Sequence, residues 1–439
     1  MVKTRNISID RFRGIITFLM IFFQMIGHFN NLGVLTHFCV HAPNFLIDLP
    51  GNIQKAIDGI YILPNMTVAD IIAPAFMFAI GLTFIPAYNR RKEKHGKKKA
   101  VTNLIGKYLM LVGIGVLFNS VNSLLDGSLN DGVTDFLDKS IFSLSLTFLI
   151  SYTIALIFKK NKYIKMCSLF ILKIIGLYGI LLMLFNLITF CFTTNDMNYG
   201  YWNTLQHIGL SCIIVLLVMS LLKENTTKQR LLAGIIIFII FSIFHESSLN
   251  INGIKNVILI DNNTDGGFMG AVGYSSLLLF YTVLADIYYK NRKKYQKITM
   301  LLLIPVILLL MYIIPNFNAY DGTNKIFTAG TNDFLMINKG SISPSYIIVS
   351  LFISSFIFLI VDLFINKKYK FDFFEIWGRS PILMYILEFA LVGGVTSLLP
   401  DSLIANAPTL LALFICFILT TILTLIAYFL YKKNKIIKL

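Results

Sequence analysis

Apolar runs close to twenty residues long recur from one end of this chain to the other, and they constrain the fold more than any other feature. A membrane-spanning helix needs about 20 mostly apolar residues. A soluble core has no room for so many such runs. Only 14% of the 439 residues are charged, and 56% are hydrophobic. The chain therefore reads as an all-α, polytopic transmembrane protein, in which each backbone polar group is satisfied inside its own helix. Spans are expected at 15–32, 68–88, 101–121, 139–158, 166–190, 205–222, 229–247, 268–288, 298–314, 345–365, 374–399 and 409–431. Segment 139–158 is serine-rich and the weakest of these, so the expected count is eleven or twelve. The first apolar run is long and lacks a small-residue cleavage site, so it reads as a retained span and not as a signal peptide.

Charge gives the expected orientation. The formal net charge is +16, and 30 of the 38 Lys and Arg fall in alternate connections: 1–13, 89–99, 159–165, 223–230, 289–297, 366–373 and 432–439. The intervening connections hold only Lys55, Lys139, Lys255, Lys325 and Lys339. Cationic loops stay cytoplasmic. The expectation is a multi-pass protein of the cell membrane with both termini inside. The same alternation argues against nucleic acid as the partner of this basic chain; membrane lipid is its expected surrounding. The assembly state is left open, a homodimer included. The five cysteines show no paired spacing and read as small buried residues, so neither disulfides nor a metal site is expected.

No composition shift marks a soluble lobe, and residues 1–439 read as one integral-membrane domain. The longest outer connections, 33–67, 248–267 and 315–344, mix Gly, Asn, Asp and Pro with apolar residues and are expected to fold over the membrane surface. No internal repeat is evident.

Ionisable side chains inside spans cost about 2.5–3.5 kcal/mol each at the bilayer centre, so those present are functional candidates. His28 lies toward the outer end of span 1, Asp70 opens span 2, His207 follows Gln206 at the start of span 6, and His245 and Glu246 close span 7. Asp286 and Asp362 end spans 8 and 10, and Arg379 and Glu388 lie in span 11. Plainer readings stand beside these. Asp70 in T-V-A-D suits the first turn of a helix, where a carboxylate stabilises the positive end. Asp286 and Asp362 have loop lysines within reach. A lone membrane histidine is usually a hydrogen-bonded packing residue. Yet His28, His37, His41, His207 and His245 all gather toward the outer face, and a near-neutral pKa suits a histidine there to acid–base work.

Five stretches carry a resemblance. They are Arg5-x-x-Ser8-Ile9-Asp10-x-x-Arg13-Gly14 before span 1; T-V-A-D-I-I-A-P-A-F-M-F-A-I-G at 67–81; N-T-L-Q-H-I at 203–208; Thr264-Asp265-Gly266-Gly267 entering span 8; and the pair INKGSISPSY…VDLF and WGRSPILMYIL. In this order they resemble the heparan-α-glucosaminide N-acetyltransferase-like family of membrane acyltransferases, whose patterns include R-x-x-S-x-D-x-x-R-G and T-x-A-D-x-x-x-P-x-F-x-F-x-x-G. The second stretch is the most specific.

There are departures. The family histidine of H-A-x-W stands ten residues before the T-x-A-D aspartate, where this chain has Ile60. The nearest match is His41-Ala42-Pro43, 29 residues before Asp70, as if about nineteen residues were inserted in the outer loop 33–67. The arginine of the family's L-Q-R is replaced by His207, and the asparagine of its G-x-N by Ser380.

The resemblance implies transfer of an acetyl group from cytosolic acetyl-CoA to an amine or hydroxyl of an extracytoplasmic glycan or amino-sugar acceptor. On that reading His41 is the general base or nucleophile, and Asp70 or Glu246 orients it. His37 or His245 takes the role if His41 does not. Arg5, Asp10, Arg11, Arg13, Gln206 and His207 fall on the donor side of the assignment. Arginines at the inner mouth, with Arg90, Arg91 and Lys92, suit the coenzyme phosphates, although each also suits plain positive-inside anchoring. Asp10 would then fix Arg13 or Arg5. Two other classes stay open: a secondary transporter or flippase of a lipid-linked sugar or small solute, with glycine pairs at 266–267 or 393–394 marking helix breaks, and a non-catalytic relative.

Overall fold

The computed structural model describes residues 6–27, 29, 68–125, 166–167, 169–181, 204–222, 224–246, 266–290, 306, 339, 342–364, 372–379, 381, 384–385, 387–388 and 408–432. Among them the regular structure is all helical. The helices are α1 (Ile7–Gly27), α2 (Val68–His95), α3 (Lys97–Leu125), α4 (Leu169–Leu181), α5 (Thr204–Leu221), α6 (Thr227–Glu246), α7 (Gly267–Lys290), α8 (Pro344–Phe364), α9 (Phe373–Gly378) and α10 (Thr409–Lys432). Seven of them, α2, α3, α5, α6, α7, α8 and α10, are long and apolar enough to cross a membrane. That is the build of a polytopic membrane protein. The expected spans 139–158 and (Val306 apart) 298–314 lie outside the described residues, as does the outer loop 33–67.

Local chemistry sets the helix ends. Gly96 adopts φ +80° between α2 and α3, and its N–H donates to Lys92 O at 2.9 Å, so a glycine terminates one helix and starts the return of the next. Asp372 caps α9 by accepting the Glu375 N–H on Oδ1 at 3.0 Å.

Helix α7 sits at the centre, buried on nearly every face from Gly270 to Tyr288. Around it, α1, α2, α7 and α8 interlock through rings. Phe12 meets Phe78 at 5.7 Å and Phe358 at 5.4 Å, and Phe78 meets Tyr281 at 4.9 Å. Each edge-to-face pair contributes about 0.5–1.5 kcal/mol beyond its area. Helices α6 and α10 do the opposite. They turn Ile235, Ile236, Ile239 and Ile243, and Phe414, Phe417, Leu425 and Phe429, outward. A helix apolar on its outer as well as its inner face belongs in lipid.

Contact between helices without much side chain fixes α1 against α9. A Cβ on Gly14 would lie 1.8 Å from Phe374 O, and one on Gly378 would lie 1.7 Å from Asp10 O. Two glycines facing each other let the backbones touch, the usual device for close helix crossings in membranes.

Hydrogen bonds sort the helix ends into two poles. At the first, the basic pole, Asn6 donates to Tyr288 Oη at 3.3 Å, Tyr288 donates to Asp362 at 2.9 Å, Arg11 pairs with Asp372, and Arg230 and Thr227 pair with Asp286. At the opposite pole lie the starts of α2, α5, α7 and α8 and the end of α6.

Candidate functional site

The opposite pole is built around a proline. Pro74 inside α2 has no N–H, so the carbonyl of Asp70, four residues earlier, lacks its helical donor. Tyr346, in the first turn of α8, supplies the missing bond: its Oη donates to Asp70 O at 2.6 Å. With its one hydrogen committed, Tyr346 Oη can only accept from Tyr274, whose Oη lies 3.5 Å away. All three residues are 0% exposed.

His207 joins the cluster in the first turn of α5. It is fully buried, packs edge-on to the Tyr274 ring, and places Nε2 3.0 Å from Gly267 O. A carbonyl only accepts, so Nε2 carries the hydrogen of that bond. That carbonyl is presented by Gly266 and Gly267 at φ +72° and +56°, a left-handed pair that side chains with a Cβ adopt with strain. The glycines of T-D-G-G are thus a backbone requirement for meeting His207. Ser211, one turn on, shares its single hydroxyl hydrogen between His207 O at 2.7 Å and Ala271 O at 2.9 Å, tying α5 to α7. Gln206 is buried where Gly115 of α3 leaves room, since a Cβ there would come within 2.6 Å of Gln206 Cγ.

His245 ends α6 at this pole, buried and 5.7 Å ring to ring from Phe241. Phe241 in turn lies against Gly273, one residue before Tyr274. Glu246 follows as the last residue of α6. The turn before α8 is buried too, with Ile342 at φ +53°, an uncommon state for a β-branched residue. Such outliers concentrate at working sites.

The basic pole is organised by charge pairs. Arg11 is 1% exposed, and its Nε donates to Asp372, the residue that caps α9. Arg11 thereby joins α1 to α9. Arg13 lies 3.9 Å from Asp10 and reaches α2, where Nη2 donates to Ala79 O at 3.2 Å and Thr83 Oγ1 at 2.9 Å. The expected Asp10–Arg13 pairing is present. Among the described residues, Asp286 is partnered by Arg230 and Thr227, and Asp362 by Tyr288. Arg379 pairs with Glu375 at 2.6 Å and stacks over Tyr431 at 4.2 Å. Glu388, beyond it, is 1% exposed, and its Oε2 meets no hydrogen-bond partner among the described residues.

The candidates from sequence thus divide. Asp70, Gln206, His207, His245 and Glu246 share one pole, whereas Asp10, Arg11 and Arg13 share the other. Gln206 and His207 therefore do not stand beside the arginines with which they were grouped. Arg5, His28, His37 and His41 lie outside the described residues. Sequence reasoning missed Tyr274 and Tyr346. The signal for Tyr346 was Pro74, which creates an orphan carbonyl that some donor must fill. Compared with known proteins, the chain matches no family model and no curated protein.

Proposed function

We propose that this protein is a multi-pass acyltransferase of the cell membrane. It takes an acetyl group from acetyl-CoA at a cytoplasmic basic pole and delivers it to an amine or hydroxyl of a sugar acceptor at the outer pole. Both termini and the seven Lys/Arg-rich connections then face the cytoplasm, with about twelve spans in all.

One observation carries the reading. The motif stretches are scattered along the sequence, yet their described residues gather at two ends of the bundle. Asp70, His207 and Tyr346 are buried together beside Gly267, linked by Tyr346 to Asp70, by Tyr274 between Tyr346 and His207, and by His207 to Gly267, with buried Gln206 next to His207 in the chain. Asp10, Arg13, Gly14, Asp362 and Gly378 lie at the other end, where Gly378 meets the Asp10 carbonyl and Arg13 meets α2. A reaction with a charged donor on one side and a histidine-dependent acceptor step on the other needs that division.

The chemistry is acyl substitution. The acceptor nitrogen or oxygen attacks the thioester carbonyl, a new C–N or C–O bond forms, and the C–S bond breaks. An imidazole takes the acceptor's proton, and the coenzyme leaves as its thiol once protonated. His41 is the proposed base or nucleophile. Asp70 and Glu246 are the carboxylates proposed to orient it, and His245 is the alternative imidazole on the same side. The rings of Phe12, Phe78, Tyr281 and Phe358 fill the space between α1, α2, α7 and α8. The donor's arm must run outside that block.

Purified protein given labelled acetyl-CoA and hexosamine acceptors tests this. Label is expected in the sugar product, and His41→Ala is expected to abolish its appearance. Uptake of a sugar by proteoliposomes without consumption of acetyl-CoA would favour a transporter instead.

A further inference from the structure

The carbonyl of Asp70 belongs to α2 by sequence but is held from α8. Pro74 denies it a helical N–H, and a proline ring also crowds the carbonyl four residues back. The turn that carries Asp70 therefore lacks one of the bonds that would tie it to the next turn of its own helix. Tyr346 Oη takes the place of the missing donor, at 2.6 Å. The direction of the Asp70 turn is thus referred to α8.

Tyr346 is itself well fixed. The sequence S-P-S-Y starts α8: Pro344 takes the first helical position, Ser343 Oγ accepts the Tyr346 N–H at 3.2 Å, and the Ser343 and Ser345 hydroxyls meet at 2.9 Å. Serine at the cap followed by proline is a firm helix start. The turn leading in is closed by the Ile342 N–H on Lys339 O at 3.0 Å. Helix α7 then grips α8 twice. Tyr274 Oη lies 3.5 Å from Tyr346 Oη, and one turn further along α8 Tyr281 donates to Ser350 O at 3.2 Å.

The plain alternative is packing: a buried hydroxyl needs an acceptor, and any carbonyl would serve. Two observations single this carbonyl out. It is the one that Pro74 leaves without a helical donor, and it belongs to a fully buried aspartate in the first turn of α2. A small change of backbone direction there moves the carboxyl group with it.

We infer that Tyr346 is a positioning residue that acts through Asp70: the capped start of α8, and not the axis of α2, sets where the Asp70 turn sits. Pro74 and Tyr346 form one device on two helices, the first freeing a carbonyl and the second taking it. That the Asp70 carboxylate orients a reacting imidazole rests on the acyl-transfer reading. The hold of Tyr346 on the Asp70 turn does not.

The test places Tyr346→Phe in three backgrounds of the full-length protein: native, Pro74→Ala and Asp70→Asn. Pro74→Ala supplies the N–H that Asp70 O lacks. In the native background Tyr346→Phe should lower the melting midpoint in detergent, or the yield of folded protein, and cut acetyl transfer about tenfold to a hundredfold. In the Pro74→Ala background the same change should leave the midpoint where Pro74→Ala alone puts it. In the Asp70→Asn background it should cut transfer no further, because a residue that works through Asp70 has nothing left to position. An equal loss of midpoint with alanine or proline at 74 would overturn the inference. So would transfer losses from Tyr346→Phe and Asp70→Asn that multiply, or transfer indifferent to Tyr346→Phe. If the native protein transfers no acetyl group, the acyltransferase reading falls, and the midpoints alone decide whether Tyr346 holds the Asp70 turn.

Discussion

The two poles of this bundle are both polar and both buried, yet they are built on opposite principles. At the basic pole the contacts are ionic and join helices distant in sequence: Arg11 to Asp372, Arg230 to Asp286, Arg13 to Asp10. At the other pole the contacts are hydroxyls, an imidazole and backbone carbonyls: Tyr346 to Asp70, His207 to Gly267, Tyr274 beside Tyr346. Full charges in mutual contact hold a fold together and are poor at moving protons. Neutral donors and an imidazole around strained backbone hold less and can exchange protons. The contrast teaches that one end is mainly a clamp, and on the acyltransferase proposal the other is the workplace.

Substitutions can break that contrast. The largest effect is expected at the clamp. Asp372→Ala leaves Arg11 buried without its carboxylate and removes the α9 cap, so it should cost about 3–5 kcal/mol. Thermal unfolding in detergent reads this, and the double change Arg11→Met with Asp372→Leu should recover most of the loss. Next, Gly378→Ala forces a methyl into the Asp10 carbonyl and should cost at or above the top of the about 1–3 kcal/mol range for overpacking. It should also lower the yield of folded protein in size-exclusion profiles.

At the other pole the stability effects are expected to be smaller and the activity effects larger. Tyr346→Phe again orphans the Asp70 carbonyl, costing about 1–3 kcal/mol, and acetyl transfer should fall more than the unfolding midpoint implies. His207→Phe keeps a ring against Tyr274 but loses the bond to Gly267, costing about 0.5–1.5 kcal/mol. Its signature should be lost transfer with nearly unchanged melting. If Tyr346→Phe and His207→Phe instead lower melting as much as Asp372→Ala and leave transfer intact, the division of labour is wrong.

Part of this arrangement was legible in the sequence. Long apolar runs announced the helices, since burial in lipid demands them, and the alternation of Lys and Arg separated the poles. Asp70, His207 and His245 stood out because ionisable groups in apolar runs are expensive. The pairings were not legible. Arg11 and Asp372 are 361 residues apart, and nothing local to either names the other. Gly14 and Gly378 look like ordinary membrane glycines until the backbones cross. Tyr346 is one of twenty tyrosines, and only its bond to the carbonyl that Pro74 leaves without a helical donor shows what its hydroxyl is for. Arg11 illustrates the limit in reverse. A basic residue at a membrane mouth looks available for an anion, and only the fold shows its partner.

The most direct measurement is sided acetyl transfer in proteoliposomes of uniform orientation. Acetyl-CoA supplied on the face that carries the 89–99 connection should acetylate an amino sugar confined to the opposite face, with none when both are confined to that opposite face. Equal transfer with donor and acceptor on the same side, or label that never crosses the bilayer, would contradict the division of the molecule into a donor pole and an acceptor pole.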